Sequence, residues 1–255
     1  TRGAINGRIT YRHPFIELIS KFAGGILSVS AGLSLGREGP SVQIGSYVGC
    51  LVSRWTHILK GERKQLLAAG AGAGLAAAFA APLASSLIVI ESIERFDAPK
   101  TAITTLLAGV VAGVIATLVF PVNPYHLIEV SEPALAFWVQ MKYFLILAVI
   151  ISIVGKLYAA IMISFKRVYS AVKSPTSVKM FYLVLVAYII SLMQVNLTGG
   201  GEQFLLEQAQ NGSTEMMWVL AVMLLHFGFS VCSVSSGLPG GNFIPTLVTG
   251  GLLGR

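Results

Sequence analysis

MMWVLAVMLLHFGFSVCSVSSGLPGGNFIPTLVTGGLLG, residues 216–254, runs for 39 residues without an Asp, Glu, Lys or Arg. A helix that crosses a bilayer needs about 20 mostly apolar residues. The stretch is therefore long enough for two passes, or for one pass and a re-entrant piece. Its middle, Ser235-Ser236-Gly237-Leu238-Pro239-Gly240-Gly241-Asn242-Phe243-Ile244-Pro245, is too rich in glycine and proline to continue one helix. A new helix is expected to start near Phe243, with backbone amides exposed at its N-terminus.

Working outward, other charge-free stretches lie at 22–36, 65–90, 101–128, 143–155 and 180–201. A soluble core helix rarely stays uncharged for so long, so these are read as membrane spans. The composition agrees. Charged residues are 11% of the 255 and hydrophobic ones 55%, with a mean hydropathy of +0.76, whereas a soluble domain carries about 25% charge. A soluble enzyme and a disordered chain are both disfavoured. The net charge of +7 is too thin and scattered for a nucleic-acid surface. Cys50 and Cys232 are too few for a disulfide framework or thiolate metal site, and no cofactor or metal motif is present. Residues 1–13 show no apolar signal-peptide core. A chain that begins without Met and stops at Arg255, just after an apolar Gly-rich run, is expected to be a piece of something longer.

Charge also orients the middle of the chain. Lys166, Arg167, Lys173 and Lys179 cluster between two spans, while 121–139 and 197–214 carry Glu129, Glu132, Glu202 and Glu207 but no Lys or Arg. The positive-inside rule places 166–179 in the cytoplasm and both acidic loops outside. The basic run Arg54 to Lys64 does not fit a single crossing at 65–90, unless Pro82 divides that stretch into a broken helix pair. Lys156, inside a span, is a functional candidate by default; snorkelling from a long tilted helix is the duller account.

The sharpest local signal is Gly36-Arg37-Glu38-Gly39-Pro40. A carboxylate stands there at the start of a helical pattern, Ser41 to Trp55, where unpartnered amides and the helix dipole favour an anion. Glu38 can occupy that site, or yield it when protonated or displaced by a mobile anion, which is the physical scheme of a gate. An Arg37–Glu38 pair across a buried turn explains the same five residues. Two such helix starts, near Glu38 and Phe243, are expected to converge on one anion. Short Gly/Pro-broken segments are the usual pointer to a transport site near the midplane.

Glu38 in its Gly-Arg-Glu-Gly-Pro setting, together with Gly241-Asn242-Phe243-Ile244-Pro245, resembles the chloride channel and transporter (CLC) family. The alanine-rich stretch Gly70 to Ala84 and Thr198-Gly199-Gly200-Gly201-Glu202 are similar to that family's intervening segments. The resemblance covers essentially the whole chain in order. It implies an all-α polytopic membrane protein of tilted, broken helices in inverted-topology repeats. Residues 1–120 would be the later part of the first repeat and 140–255 the earlier part of the second.

It further implies a homodimeric, multi-pass plasma-membrane protein that is not an enzyme and moves chloride or a related small anion. Glu38 would be the gate, with Arg37, Gly39, Asn242, Phe243 and Ile244 as anion-binding positions. The family's earlier serine motif and late tyrosine fall outside this chain. In members that exchange chloride for protons, a second glutamate serves the inner proton route, and Ser92 stands at that position, one residue after Glu91. A serine does not titrate near neutral pH, and a one-residue shift turns a helical side chain by about 100°. Ser92 therefore argues against proton coupling, with passive conduction and exchange by a substituted route both open.

Two other readings compete. A cation-coupled carrier of another solute wants intramembrane acids, which 65–90, 101–128 and 216–254 do not offer. A serine hydrolase would use Ser235 or Ser236 with His226, and needs that histidine within hydrogen-bond reach.

Overall fold

The computed structural model describes residues 1–5, 9–56, 60–91, 99–120, 137–193, 196–210 and 215–254. Among them are eleven α-helices: α1 (Arg2–Ile5), α2 (Pro14–Ser30), α3 (Glu38–Trp55), α4 (Lys60–Phe79), α5 (Pro82–Val89), α6 (Pro99–Val119), α7 (Phe137–Ala171), α8 (Thr176–Leu192), α9 (Glu202–Gln210), α10 (Met216–Ser235) and α11 (Phe243–Leu253). The expected all-α architecture of broken apolar helices is what the chain forms. Three helices, Pro99–Val119, Phe137–Ala171 and Met216–Ser235, are long and apolar enough to cross a membrane. The 39-residue stretch becomes α10 and α11, separated at 236–242, and 65–90 is split at Pro82 between α4 and α5.

The chain divides into two compact units. Residues 1–27 and 37–124 form one; residues 28–36 and 125–255 form the other. In the first unit, α3 and α4 interlock through two glycine pairs of four-residue spacing, Gly45/Gly49 and Gly70/Gly74. A Cβ added at Gly45 would overlap the carbonyl of Gly70, one at Gly49 that of Leu66, and one at Gly74 that of Ser41. Small residues at this spacing let membrane helices touch backbone to backbone. Around that seam gather Tyr47, Cys50, Leu67, Ala71 and Leu75, with Tyr11 edge-on to Tyr47 at 4.6 Å. The break at Pro82 follows Ala80, whose φ of 51° is costly for a residue with a Cβ. Pro82 then opens α5, where its missing N–H is harmless. Ser86 Oγ on α5 donates to the Thr105 carbonyl of α6 at 3.3 Å.

In the second unit α7 spans 35 residues, about 52 Å at 1.5 Å per residue. That exceeds a hydrocarbon core of about 30 Å, so α7 must tilt or protrude. Lys156 lies on its exposed side. Tyr158 Oη and Ser230 Oγ are 3.0 Å apart, joining α7 to α10, and the Tyr158 ring meets Phe227 edge-on at 5.1 Å. The basic cluster sits on the ends of α7 and α8, where Lys179 Nζ donates to the Tyr169 carbonyl at 2.8 Å. Outward faces of α6 and α7 carry Leu107, Val111, Ile115, Phe144, Ile146 and Ile153, all exposed in the single chain. Apolar faces of that extent belong against lipid or another subunit.

Candidate anion-gate site

Two helix starts carry the sequence-predicted site, and both are built the same way. Gly32-Leu33-Ser34-Leu35-Gly36-Arg37-Glu38-Gly39-Pro40-Ser41 aligns with Gly237-Leu238-Pro239-Gly240-Gly241-Asn242-Phe243-Ile244-Pro245-Thr246 position for position. Each begins on a glycine with positive φ, 76° at Gly32 and 79° at Gly237, a conformation that favours residues without a Cβ. Each then bends, at Ser34 or Pro239, before reaching the bridging glycine of an isolated antiparallel pair, Gly36 with Gly241. Their amides and carbonyls exchange hydrogen bonds at 2.8 and 2.7 Å.

Beyond the bridge each start has an N-cap residue, Arg37 or Asn242, with backbone in the right-handed helical region and no side-chain cap hydrogen bond. Asparagine is among the strongest cap formers, yet Asn242 points its Nδ2 4.0 Å from Met162 Sδ instead. The carbonyl of each N-cap takes two bonds from the fourth residue on. Ser41 donates through N at 3.1 Å and Oγ at 2.8 Å to Arg37 O. Thr246 donates through N at 3.1 Å and Oγ1 at 2.6 Å to Asn242 O. Pro40 and Pro245 fall in the first turns, where an intrahelical donor is not required.

The two starts part company one residue after the cap. In α3 that residue is Glu38, a carboxylate only 7% exposed; in α11 it is Phe243, 46% exposed. Gly39 is partly buried and Ile244 is 3% exposed, while Arg37 and Asn242 are exposed. A carboxylate inside the first helical turn sits in the positive end of the helix dipole, and burial makes that field count for more than it would in water. The arrangement suits a negative charge at the head of α3, supplied by the side chain or by a solute.

His226 lies on α10, in the second unit. It is wholly buried, with Nε2 3.2 Å from the Gly200 carbonyl and 3.3 Å from Ser34 Oγ. A carbonyl only accepts, so Nε2 carries the proton. The imidazole thereby ties the 199–201 turn and the 32–36 segment to α10. Ser28 Oγ adds a second tie, donating to Pro239 O at 2.6 Å. These bonds assign His226 to Ser34 and Gly200. Ser236 Oγ donates instead to Ser233 O at 2.6 Å and accepts from Leu238 N at 3.2 Å.

By sequence alone His226 reads as an ordinary packed histidine, and Ser34 does not stand out. The ten-residue match at a 205-residue offset is the signal that would have drawn attention to Ser34. Glu91 is exposed just beyond α5; Ser92 lies outside the described residues. Among the described residues no three His, Cys, Asp or Glu side chains gather as a metal site.

The chain has relatives among known proteins. The family model described as voltage gated chloride channel matches residues 1–255. The H(+)/Cl(-) exchange transporter ClcA of Cronobacter sakazakii is 33% identical over 246 residues, covering 92% of this chain and 51% of the relative. ClcA of Citrobacter koseri is 33% identical over 241 residues, covering 92% and 50%. The chain thus spans about half the length of the curated relatives it matches. Among solved structures, a slow cyanobacterial Cl-/H+ antiporter superposes with a TM-score of 0.85 at 29% identity, over 97% of this chain and 58% of that one. A CLC-type fluoride/proton antiporter superposes with a TM-score of 0.76 at 20% identity, over 97% and 62%, a likeness of fold alone. With an all-α fold of broken apolar helices and a family match along its entire length, the chain belongs to the voltage gated chloride channel (CLC) family.

Proposed function

We propose that this chain is part of a membrane protein that transports chloride or a related small anion, with Glu38 as its gate. The observation that carries the reading is the buried Glu38 carboxylate in the first turn of α3, a helix start without a side-chain cap. An ionised Glu38 competes with a mobile anion for the positive end of that helix. Protonation or displacement removes the competitor. Anion flux therefore rises as pH falls, because acid depletes the charged form that blocks. Backbone amides near Arg37 and Gly39, and near Asn242, Phe243 and Ile244, serve the anion. His226 holds the 32–36 segment that leads into α3, and the 199–201 turn that leads into α9.

The same reading makes the protein a multi-pass homodimer of the plasma membrane and not an enzyme. Residues 1–120 belong to the first repeat and 140–255 to the second. The relatives' names describe proton-coupled exchange, whereas Ser92 gives this chain no titrating group at that position, leaving Glu91 as the nearest acid. Reconstitution of the full-length protein in liposomes tests the proposal. Glu38→Ala is expected to give chloride efflux that no longer responds to pH; unchanged flux with an unchanged pH response refutes the gate. An outward chloride gradient that drives proton uptake in the unmodified protein identifies an exchanger, and its absence a channel or uncoupled carrier.

A further inference from the structure

The first unit contains a second polar feature, away from the head of α3 and at the opposite end of that helix. A cavity of about 310 Å³ lies between the 9–11 segment and the first turns of α4. Its polar lining is Thr10, Tyr11, Arg63 and Lys64; Ile9 and Leu67 contribute apolar walls. No acidic side chain is among its described lining residues. Glu62 is exposed on α4, and Glu17 accepts from the His13 amide at 3.4 Å, so neither neutralises it from inside.

Several groups there are arranged as if for an anion. Arg63 spends one Nη2–H on Cys50 Sγ at 3.2 Å, a weak acceptor, and keeps further donors in its fork. Arg54 donates to the carbonyls of Tyr11 and Arg12, which fixes the 10–12 segment as a wall. Nothing in the gate scheme uses this cavity.

Its depth in the membrane is set by its neighbours. Trp55, which closes α3, is 84% exposed, and exposed tryptophan beside clustered basic residues marks the head-group level. An occupant at that level meets the cations Arg63 and Lys64 together with the apolar Ile9 and Leu67. Free phosphate satisfies only the first. We propose that this cavity binds the head group of an anionic phospholipid, with Arg63 and Lys64 on the phosphate and Ile9 and Leu67 against the start of the acyl chain. Basic pockets between membrane helices recognise such head groups by this combination.

The test uses the full-length protein in neutral detergent, with binding followed by native mass spectrometry and by the thermal unfolding midpoint. The probes are short-chain phosphatidylglycerol, short-chain phosphatidylcholine and inorganic phosphate. Phosphatidylglycerol is expected to bind and raise the midpoint, while the other two do neither. Arg63→Gln with Lys64→Gln is expected to weaken phosphatidylglycerol binding about 30-fold, as two basic residues at an anionic surface should. Equal protection by inorganic phosphate, equal binding of phosphatidylcholine, or full retention of phosphatidylglycerol by the double variant overturns the proposal. Should that variant not fold, Ile9→Trp fills the cavity and leaves every charge in place. It is expected to abolish tight phosphatidylglycerol binding, and retained binding overturns the proposal equally. Neither readout depends on Glu38, so the gate and the lipid site stand or fall separately.

Discussion

The head of α3 and the head of α11 share a positive-φ glycine, a bridging glycine, an N-cap residue without a side-chain bond, a proline in the first turn and a hydroxyl bonded back to the N-cap carbonyl. They differ in the residue after the cap, a buried carboxylate in one and a half-exposed phenyl ring in the other. A common backbone device thus presents amides twice, and one copy carries a titratable competitor for the charge those amides favour. On the proposed function the scaffold would make the anion site, and the side chain at one position would make it responsive to protons.

The likeness of the two heads can be broken at its supports. His226→Leu strands Ser34 Oγ and the Gly200 carbonyl in a buried setting, and an unmade buried hydrogen bond costs about 1–3 kcal/mol. Thermal unfolding should show this as the largest single loss of the set, and His226→Gln, which restores a donor, should recover part of it. A loss no greater than that caused by alanine at Gly32 or Gly237 would remove His226 as the tie.

Those two turn glycines should give the middle-sized effects. An L-residue in the left-handed region costs about 1–2 kcal/mol, so Gly32→Ala and Gly237→Ala should both destabilise. The two losses should be similar, because a Cβ at Gly32 makes only an ordinary 3.4 Å contact with Thr198 Cγ2 and none is within 4 Å at Gly237. A much larger loss at one of them would mean that packing around the turn, and not the backbone angle, sets the cost. The smallest effect belongs to the hydroxyls. Ser41→Ala and Thr246→Ala each remove one bond to an N-cap carbonyl that keeps its amide donor, about 1 kcal/mol by the usual worth of such a bond. Matching values in the two variants are expected, and a threefold disparity would show that the helix starts are alike only in outline.

Much of this was legible in the sequence because glycine and proline act locally. Pro82 divided 65–90 as expected, the helix near Phe243 began there, and Glu38 fell in a first helical turn. The ends of the spans were less legible. The charge-free stretch 22–36 suggested a span, yet α2 starts at Pro14 and stops at Ser30. A helix can carry Glu17 and Lys21 near its outer end, whereas the Gly32 turn must end it. In the same way α7 runs far beyond 143–155 because Lys142, Lys156, Lys166 and Arg167 all fit on a helix that tilts or protrudes. The link between Ser34 and His226 spans 192 positions, and no local pattern announces a bond of that range. The assignment of residues 28–36 to the second unit likewise depends on long-range packing.

The central claim is that Glu38, and not the equivalent position of α11, makes the anion pathway sensitive to pH. Its most direct test is the pH profile of chloride flux through the full-length protein in liposomes, measured for the unmodified chain, Glu38→Gln and Phe243→Leu. The account predicts flux that rises with acid in the unmodified chain and in Phe243→Leu, and flux that is high and flat in Glu38→Gln. A pH response that survives in Glu38→Gln, or that disappears in Phe243→Leu as well, would contradict it.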